Sequence, residues 1–185
     1  MHSEVTTMSD KADATVLLGG STTETTGLTG YYDVKCLDST GNVKWEETIE
    51  NLVTTVGKND ILDKYFSGTA YTAAWYMGLV DGSTTPTYAV GDTLASHAGW
   101  TELAAGTAYS GSRPTVSWSA ASAGSKASTA TTFTISATNT VAGALLATVA
   151  SGTSGTLYSA GSFTGGNRSV ASGDTLLVTY TAVAA

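Results

Sequence analysis

The chain has 185 residues, a formal net charge of −7 and one cysteine, Cys36. The acidic balance argues against charge-driven binding to nucleic acid or anionic lipid, and no apolar run approaches the roughly 20 residues of a membrane-spanning helix. Because one cysteine forms no internal disulfide, and the first residues lack the basic region of a secretory signal, we expect synthesis and use in a reducing cytoplasm.

Charge is divided unevenly along the chain. Residues 103–185 contain three basic residues and one acid, a net charge of +2, whereas residues 1–102 contain five basic residues and fourteen acids, a net charge of −9. An ordinary domain is about a quarter charged, and catalysis usually needs ionisable side chains. The charge-poor half therefore favours a structural or binding protein over an enzyme.

The N-terminal residues 1–29 are predicted to form an extended arm, followed by a β-sandwich domain over residues 30–185. The arm is rich in Thr, Ser and Asp and contains one apolar cluster, Val16, Leu17 and Leu18. Polar arms of this kind stay mobile unless a partner holds them, so a disordered tail and a partner-bound arm are both compatible with the composition. We predict that the arm becomes ordered only on a partner, with the three apolar residues as anchors.

A β-hairpin is predicted next. Apolar and polar residues alternate over residues 31–36, residues 38–42 form a turn cluster that contains glycine, and the return strand covers residues 43–49. The alternation places Trp45 and Ile49 on the core face of the return strand.

One helix is predicted, from about Thr54 to Phe66, with Ser67 and Gly68 as its stop signal. The apolar residues that can share one face are Val53, Val56, Leu62, Tyr65 and Phe66. The charged residues expected outside that face are Lys58, Asp60 and Lys64. We expect this helix to cover one end of the β domain.

Residues 71–80 form a strand candidate in which Trp75 and Tyr76 point to opposite faces. An exposed aromatic side chain can stack on a sugar ring or contact another protein, whereas a two-sheet domain can cover both faces of a strand. Core packing and partner binding are therefore both open for this pair. Together with the apolar cluster of the arm, Trp75 and Tyr76 are the candidate partner-binding residues.

The rest of the chain is predicted to form short strands separated by loops of small residues, which indicates an all-β sandwich or barrel. Segment 143–149 is ambiguous between strand and helix, and its neighbours favour a strand. The other strand candidates are 100–103, 115–118, 132–137, 157–163 and 176–180. The segments interpreted as loops or turns are 119–125, 151–155 and 167–169.

Candidate catalytic and metal-binding groups are scarce. The two histidines, His2 and His97, have no cluster of ligand-type residues at metal-binding spacing around them. Asp81, Asp92 and Glu102 can converge, and two facing carboxylates are sufficient for glycoside hydrolysis. Acids in loops, however, are usually solvated. We predict no catalytic, cofactor-binding or metal-binding residues and no enzyme activity.

Four stretches of the chain resemble small virion proteins of tailed bacteriophages. They are NLVTTVG at 51–57, DILDKYF at 60–66, YTAAWYMGL at 71–79 and HAGWTE at 97–102. The resemblance extends roughly from Tyr31 to the C terminus and includes the charge-poor finish. This group includes capsid decoration, or cement, proteins with a jelly-roll β-sandwich.

The resemblance implies a jelly-roll-like β-sandwich without a cofactor, made in the bacterial host cytoplasm and bound to the outer capsid surface. Its implied partners are neighbouring subunits of the major capsid protein and further copies of itself, as a homodimer or homotrimer, with no role for nucleic acid or membrane. The alternative function is that of a carbohydrate-binding accessory protein of a phage tail or head fibre. In that alternative, Trp75, Tyr76 or Trp100 forms the stacking platform.

Overall fold

The computed structural model describes residues 27–68 and 74–184. Their chain forms two antiparallel β-sheets that pack against each other, which confirms the predicted all-β sandwich. None of the helices in these two ranges is long and apolar enough to cross a membrane.

The helix and strands follow one another in a simple order along the chain. They are β1 (Leu28–Leu37), β2 (Val43–Glu50), β3 (Leu52–Val53), α1 (Thr55–Phe66), β4 (Trp75–Asp81), β5 (Thr115–Val116), β6 (Ser125–Ala127), β7 (Thr131–Thr134), β8 (Asn139–Ala147), β9 (Leu157–Ser162), β10 (Arg168–Val170) and β11 (Thr175–Ala184).

The first sheet places β2, β1 and β11 side by side, and β6 and β7 both pair with β11. Val34 lies opposite Val178, and Cys36 lies opposite Leu176, so the apolar residues of two long strands meet on one buried face. Cys36 is a buried free thiol, and burial raises its pKa to about 11. The strand alternation predicted this face correctly.

The return strand β2 has the predicted phase. Ile49 is fully buried and Trp45 is half-buried, with its ring edge-on to Phe163 at a centroid distance of 5.4 Å. Lys44 and Glu46, which flank Trp45 in the strand, are exposed. A half-buried Trp45 reflects its position on a strand at the edge of the sheet.

The second sheet has the order β3-β9-β8-β4-β5, with β10 beside β8. Leu146 of β8 packs into the core between the sheets, whereas Leu145 packs into a second core on the opposite face. The long connection between β4 and β5 covers that outer face with Leu94 and Trp100. A strand that is covered on both faces has no polar side, which explains why segment 143–149 was ambiguous in the sequence.

Two short strands overlap segments that we interpreted as loop or turn: β6 shares Ser125 with the first, and β10 shares Arg168 and Ser169 with the second. Strand β6 begins inside 119–125 and pairs with β11, and β10 begins inside 167–169 and pairs with β8. Conversely, the strand candidate 100–103 forms only an isolated bridge between Glu102 and Val80. Pairing with a distant strand decides each of these cases, and local composition does not contain that information.

The first strand begins near the predicted start of the domain. Strand β1 begins at Leu28, two residues inside the segment predicted as arm, and Leu28 pairs with Ala184 at the far end of β11. The apolar cluster Val16, Leu17 and Leu18 lies outside the described residues.

Helix α1 has the predicted bounds. Thr54 is its N-cap, and the Thr54 hydroxyl accepts a hydrogen bond from the Gly57 backbone N–H at 3.0 Å. Ser67 is the C-cap, and its N–H donates to the Asp63 carbonyl.

The orientation of α1 differs from the prediction. Gly57 is buried against β9, so close that a Cβ there would lie 2.6 Å from the carbonyl oxygen of Tyr158. This contact turns the side of Gly57, Asp60, Ile61 and Lys64 towards the domain, where Asp60 and Lys64 are half-buried and form an ion pair at 2.6 Å. The predicted outer position of Asp60 and Lys64 is therefore wrong, and part of the predicted inner face lies outside.

Candidate functional site

The side of α1 that faces solvent carries three large apolar side chains. Leu62, Tyr65 and Phe66, which we call the α1 patch, are 52%, 81% and 77% exposed. Tyr65 and Phe66 lie three and four residues after Leu62, so both are its neighbours on the helix surface. The Tyr65 and Phe66 rings meet edge-on at a centroid distance of 5.0 Å. Exposed apolar groups that cluster in this way mark interaction surfaces.

The clustering distinguishes the α1 patch from the other exposed hydrophobic side chains. Among the described residues, the remaining large ones are Val43 and Val90, 52% and 56% exposed. They lie on β2 and in the β4–β5 connection, and isolated exposed valines are ordinary on protein surfaces. They serve as controls for the patch.

A second candidate surface is the outer face of the first sheet, where a groove of about 530 Å³ runs between β1, β2 and β11. Lys35 and Glu46 form an exposed ion pair across it at 2.7 Å, and Thr48 donates to Asp33 at 2.8 Å. Four polar side chains of the groove are thus paired with one another.

A third feature is an apolar pocket of about 310 Å³ at one end of the sandwich, which we call the end pocket. It is lined by Ile61, Trp75, Trp118, Lys126, Leu146, Tyr158, Tyr180 and Ala182. Four of these side chains are aromatic. Trp75 meets Tyr158 edge-on at 5.4 Å, and Trp118 meets Tyr180 edge-on at 6.2 Å.

The polar atoms of the end pocket are unequally satisfied. Burial raises the pKa of Tyr158 and of Tyr180 above the ordinary value, so both hydroxyls stay protonated. Lys126 donates to the Ser119 carbonyl at 2.8 Å. The Trp118 Nε1 is buried and has no hydrogen-bond acceptor among the described residues, as is also true of the Trp45 Nε1.

The two candidate residues of β4 lie on opposite faces of the second sheet. Trp75 is half-buried and packs against the core between the sheets. Tyr76 is half-buried on the other face of the strand. Trp100, the third ring that we considered for sugar stacking, is buried in the second core, so the three rings do not share one surface.

Each of the three candidate acids has a local structural partner. Asp92 accepts from the Trp100 indole N–H at 2.9 Å, and Asp81 accepts from the Ser83 backbone N–H at 2.9 Å. Glu102 forms a two-point ion pair with Arg113, at 2.7 and 2.6 Å. Across the described ranges, no group of three or more His, Cys, Asp or Glu side chains is placed to hold a metal ion.

His97 also has a structural environment. Its ring stacks on Trp100 at a centroid distance of 3.9 Å, and its Nδ1 lies 3.0 Å from the Trp100 carbonyl oxygen. The ring therefore helps to hold the loop that covers the second sheet.

The most buried ion pair of the domain was missed from the sequence. The Arg113 side chain is only 5% exposed, and it donates to the carbonyls of Val149 and Gly152 as well as to Glu102. Hydrogen bonding to Glu102 raises the Arg113 pKa further. The available signal was its rarity, because only three basic residues occur after position 102.

Comparison of the sequence with protein-family models finds no match, and comparison with curated proteins finds none. The candidate surfaces are therefore judged by their own chemistry. The α1 patch offers aromatic groups to a partner, the sheet groove contains an ion pair and a hydrogen bond between its own side chains, and the end pocket has mainly apolar walls.

Proposed function

We propose that this chain is a non-enzymatic virion protein of a tailed bacteriophage, which binds the outside of the assembled capsid and stabilises it. The observation that carries the proposal is the α1 patch, which exposes two aromatic rings and a leucine to water. Burying these side chains would stabilise the protein, so their clustered exposure indicates a surface that a partner covers. The patch also falls within DILDKYF, one of the stretches that resemble phage virion proteins.

The α1 patch has the chemistry of an interface centre. Tyrosine is among the residues that dominate binding energy at protein interfaces, and aromatic side chains in general are enriched there. Burying a leucine or phenylalanine side chain is worth about 1.5–3 kcal/mol. A protein that binds only the assembled shell raises the stability of that shell by mass action.

The charge-poor half supports contacts with further copies or with neighbouring capsid subunits. Removing a charged side chain from water is costly unless it is paired, and residues 103–185 contain only four such side chains. Strands β6 and β7, which pair with β11 in the first sheet, contain one charged residue between them, Lys126. Uncharged strand edges favour pairing with another chain, so a homodimer or homotrimer is part of the proposal.

The carbohydrate-binding alternative has less support. A stacking platform needs exposed aromatic faces, whereas Trp75 lines the end pocket and Trp100 is buried in the second core. Tyr76 is half-buried and lies on the strand face opposite Trp75.

The proposal is tested with the double variant Tyr65→Ser/Phe66→Ser and capsids of the phage that encodes the chain. Each truncation of an interface centre costs about 2 kcal/mol or more, so we expect co-sedimentation with capsids to weaken by at least about 100-fold. The control is Val43→Ser/Val90→Ser, which removes two isolated exposed apolar groups elsewhere. Equal capsid binding by both double variants, or no capsid binding by the wild type, would refute the proposal.

A further inference from the structure

The described residues, 27–68 and 74–184, leave the end of the sandwich that holds the end pocket incompletely covered. Six partly buried hydrophobic residues pack against the core between the sheets, and four of them line this one pocket: Ile61, Trp75, Trp118 and Ala182. A fifth, Leu28, lies at the start of β1, beside the last residues of β11. The core is therefore open at the point where the chain enters the domain.

The chemistry of the end pocket favours a peptide segment with aliphatic side chains. Its walls are mainly aromatic and aliphatic, which suits apolar groups.

The chain itself carries such a segment within reach. Leu28 lies opposite Ala184, and the pocket residue Ala182 is two positions away along β11, about 7 Å. Residues 19–27 contain only Gly, Ser, Thr and Glu, so the first large apolar side chain before Leu28 is Leu18. Nine residues span up to about 30 Å, which exceeds the distance required.

Charge supports the same occupant. Residues 1–26 contain four acids and one lysine, a net charge of −3. Among the residues that line the end pocket, Lys126 is the one that carries a charge. The segment and the pocket are thus complementary in apolar character, and the arm has the opposite sign of charge to Lys126.

We propose that Val16, Leu17 and Leu18 dock into the end pocket of their own chain, with their aliphatic side chains against its apolar walls. The sequence suggested a separate partner for these residues, whereas the end pocket offers them a site on the same domain. A short tether keeps the local concentration of the segment in the millimolar range, which favours the same chain over a second copy. This inference is independent of a role on the virion.

Disulfide trapping in the full chain tests the docking directly. The variant Leu17→Cys/Ala182→Cys is exposed to oxidised glutathione at low protein concentration, and Thr23→Cys/Ala182→Cys is the control with a shorter tether to β1. If the arm meets Ala182→Cys by random encounter, the shorter tether of Thr23→Cys should cross-link faster. If the segment docks, we expect Leu17→Cys to cross-link at least about tenfold faster than Thr23→Cys. Cross-linking of Leu17 at the rate of Thr23 or slower would overturn the proposal, and so would a disulfide formed only between two chains.

A second measurement needs no new cysteine. The variant Leu17→Asp/Leu18→Asp should expose the end pocket and increase acrylamide quenching of the fluorescence of Trp75 and Trp118. The matched control, Thr22→Asp/Thr23→Asp, adds the same charge in the polar connection and should leave quenching unchanged. An end pocket filled by any other group would give the same quenching in both variants and in the wild type, which would contradict docking of this segment.

Discussion

Gly57→Ala is the substitution that tests the orientation of α1, on which the α1 patch depends. In a helix interior, alanine is intrinsically better than glycine by about 1 kcal/mol, so a helix that packed loosely would be stabilised. At Gly57, however, the new Cβ would lie 2.6 Å from the Tyr158 carbonyl oxygen and 2.9 Å from the Tyr158 Cα. Both atoms belong to the backbone of β9, so a side-chain rotation does not relieve the clash.

The clash should outweigh the gain in helix propensity. Forcing an extra carbon into a packed site costs about 1–3 kcal/mol, and a rigid backbone neighbour places Gly57 in the upper part of that range. After subtraction of the propensity gain, we expect the free energy of unfolding to fall by about 1–2 kcal/mol. Urea unfolding, followed by tryptophan fluorescence, measures this change.

Gly91→Ala is the matched control, because no atom lies within 4 Å of a Cβ built at Gly91. This change reduces the conformational freedom of the unfolded chain, so it should leave stability unchanged or raise it by up to about 1 kcal/mol. If Gly57→Ala stabilised the protein as much as Gly91→Ala, α1 would not rest on Tyr158. The outward orientation of Leu62, Tyr65 and Phe66 would then be wrong.

Two further changes test the first sheet. Burial acts to raise the pKa of Asp174, but a backbone N–H donor and Lys44 outweigh it and hold the pKa below the ordinary 3.8. This carboxylate therefore stabilises the fold above pH 3.8, and its contribution is lost as the pH falls through the lowered pKa. When unfolding is measured as a function of acid pH, Asp174→Asn should lose less free energy of unfolding than the wild type. Equal losses would contradict the pairing. Trp45→Ala should cost about 2–3 kcal/mol in chemical denaturation, less than a fully buried aromatic residue, because Trp45 is only half-buried against Phe163. Val43→Ala, at an exposed position, should change stability by less than about 0.5 kcal/mol, and a similar effect of both variants would show that Trp45 does not contact the core.

The elements that were predictable are those with a strong local signal. The alternation around Val34 and around Val178 predicts a half-buried strand in each case. The apolar pattern and the stop at Ser67 and Gly68 predict the bounds of α1. Such features depend on neighbouring residues and on the period of the backbone. For the same reason, the all-β class of the domain was accessible before its structure.

The candidate sites depended on contacts between residues far apart in the chain. The side of α1 that faces inward is decided by a glycine that meets Tyr158, about a hundred residues later, and this contact puts Tyr65 and Phe66 in solvent instead of the core. The end pocket likewise forms only where α1, β4, β8, β9 and β11 converge around Trp118. The sequence alone determined the strand class, the bounds of α1 and the uneven charge, because these follow from local residue order. Only the tertiary structure decided which apolar groups stay exposed, because an apolar pattern specifies a face to bury but not the distant surface that is shaped to receive it.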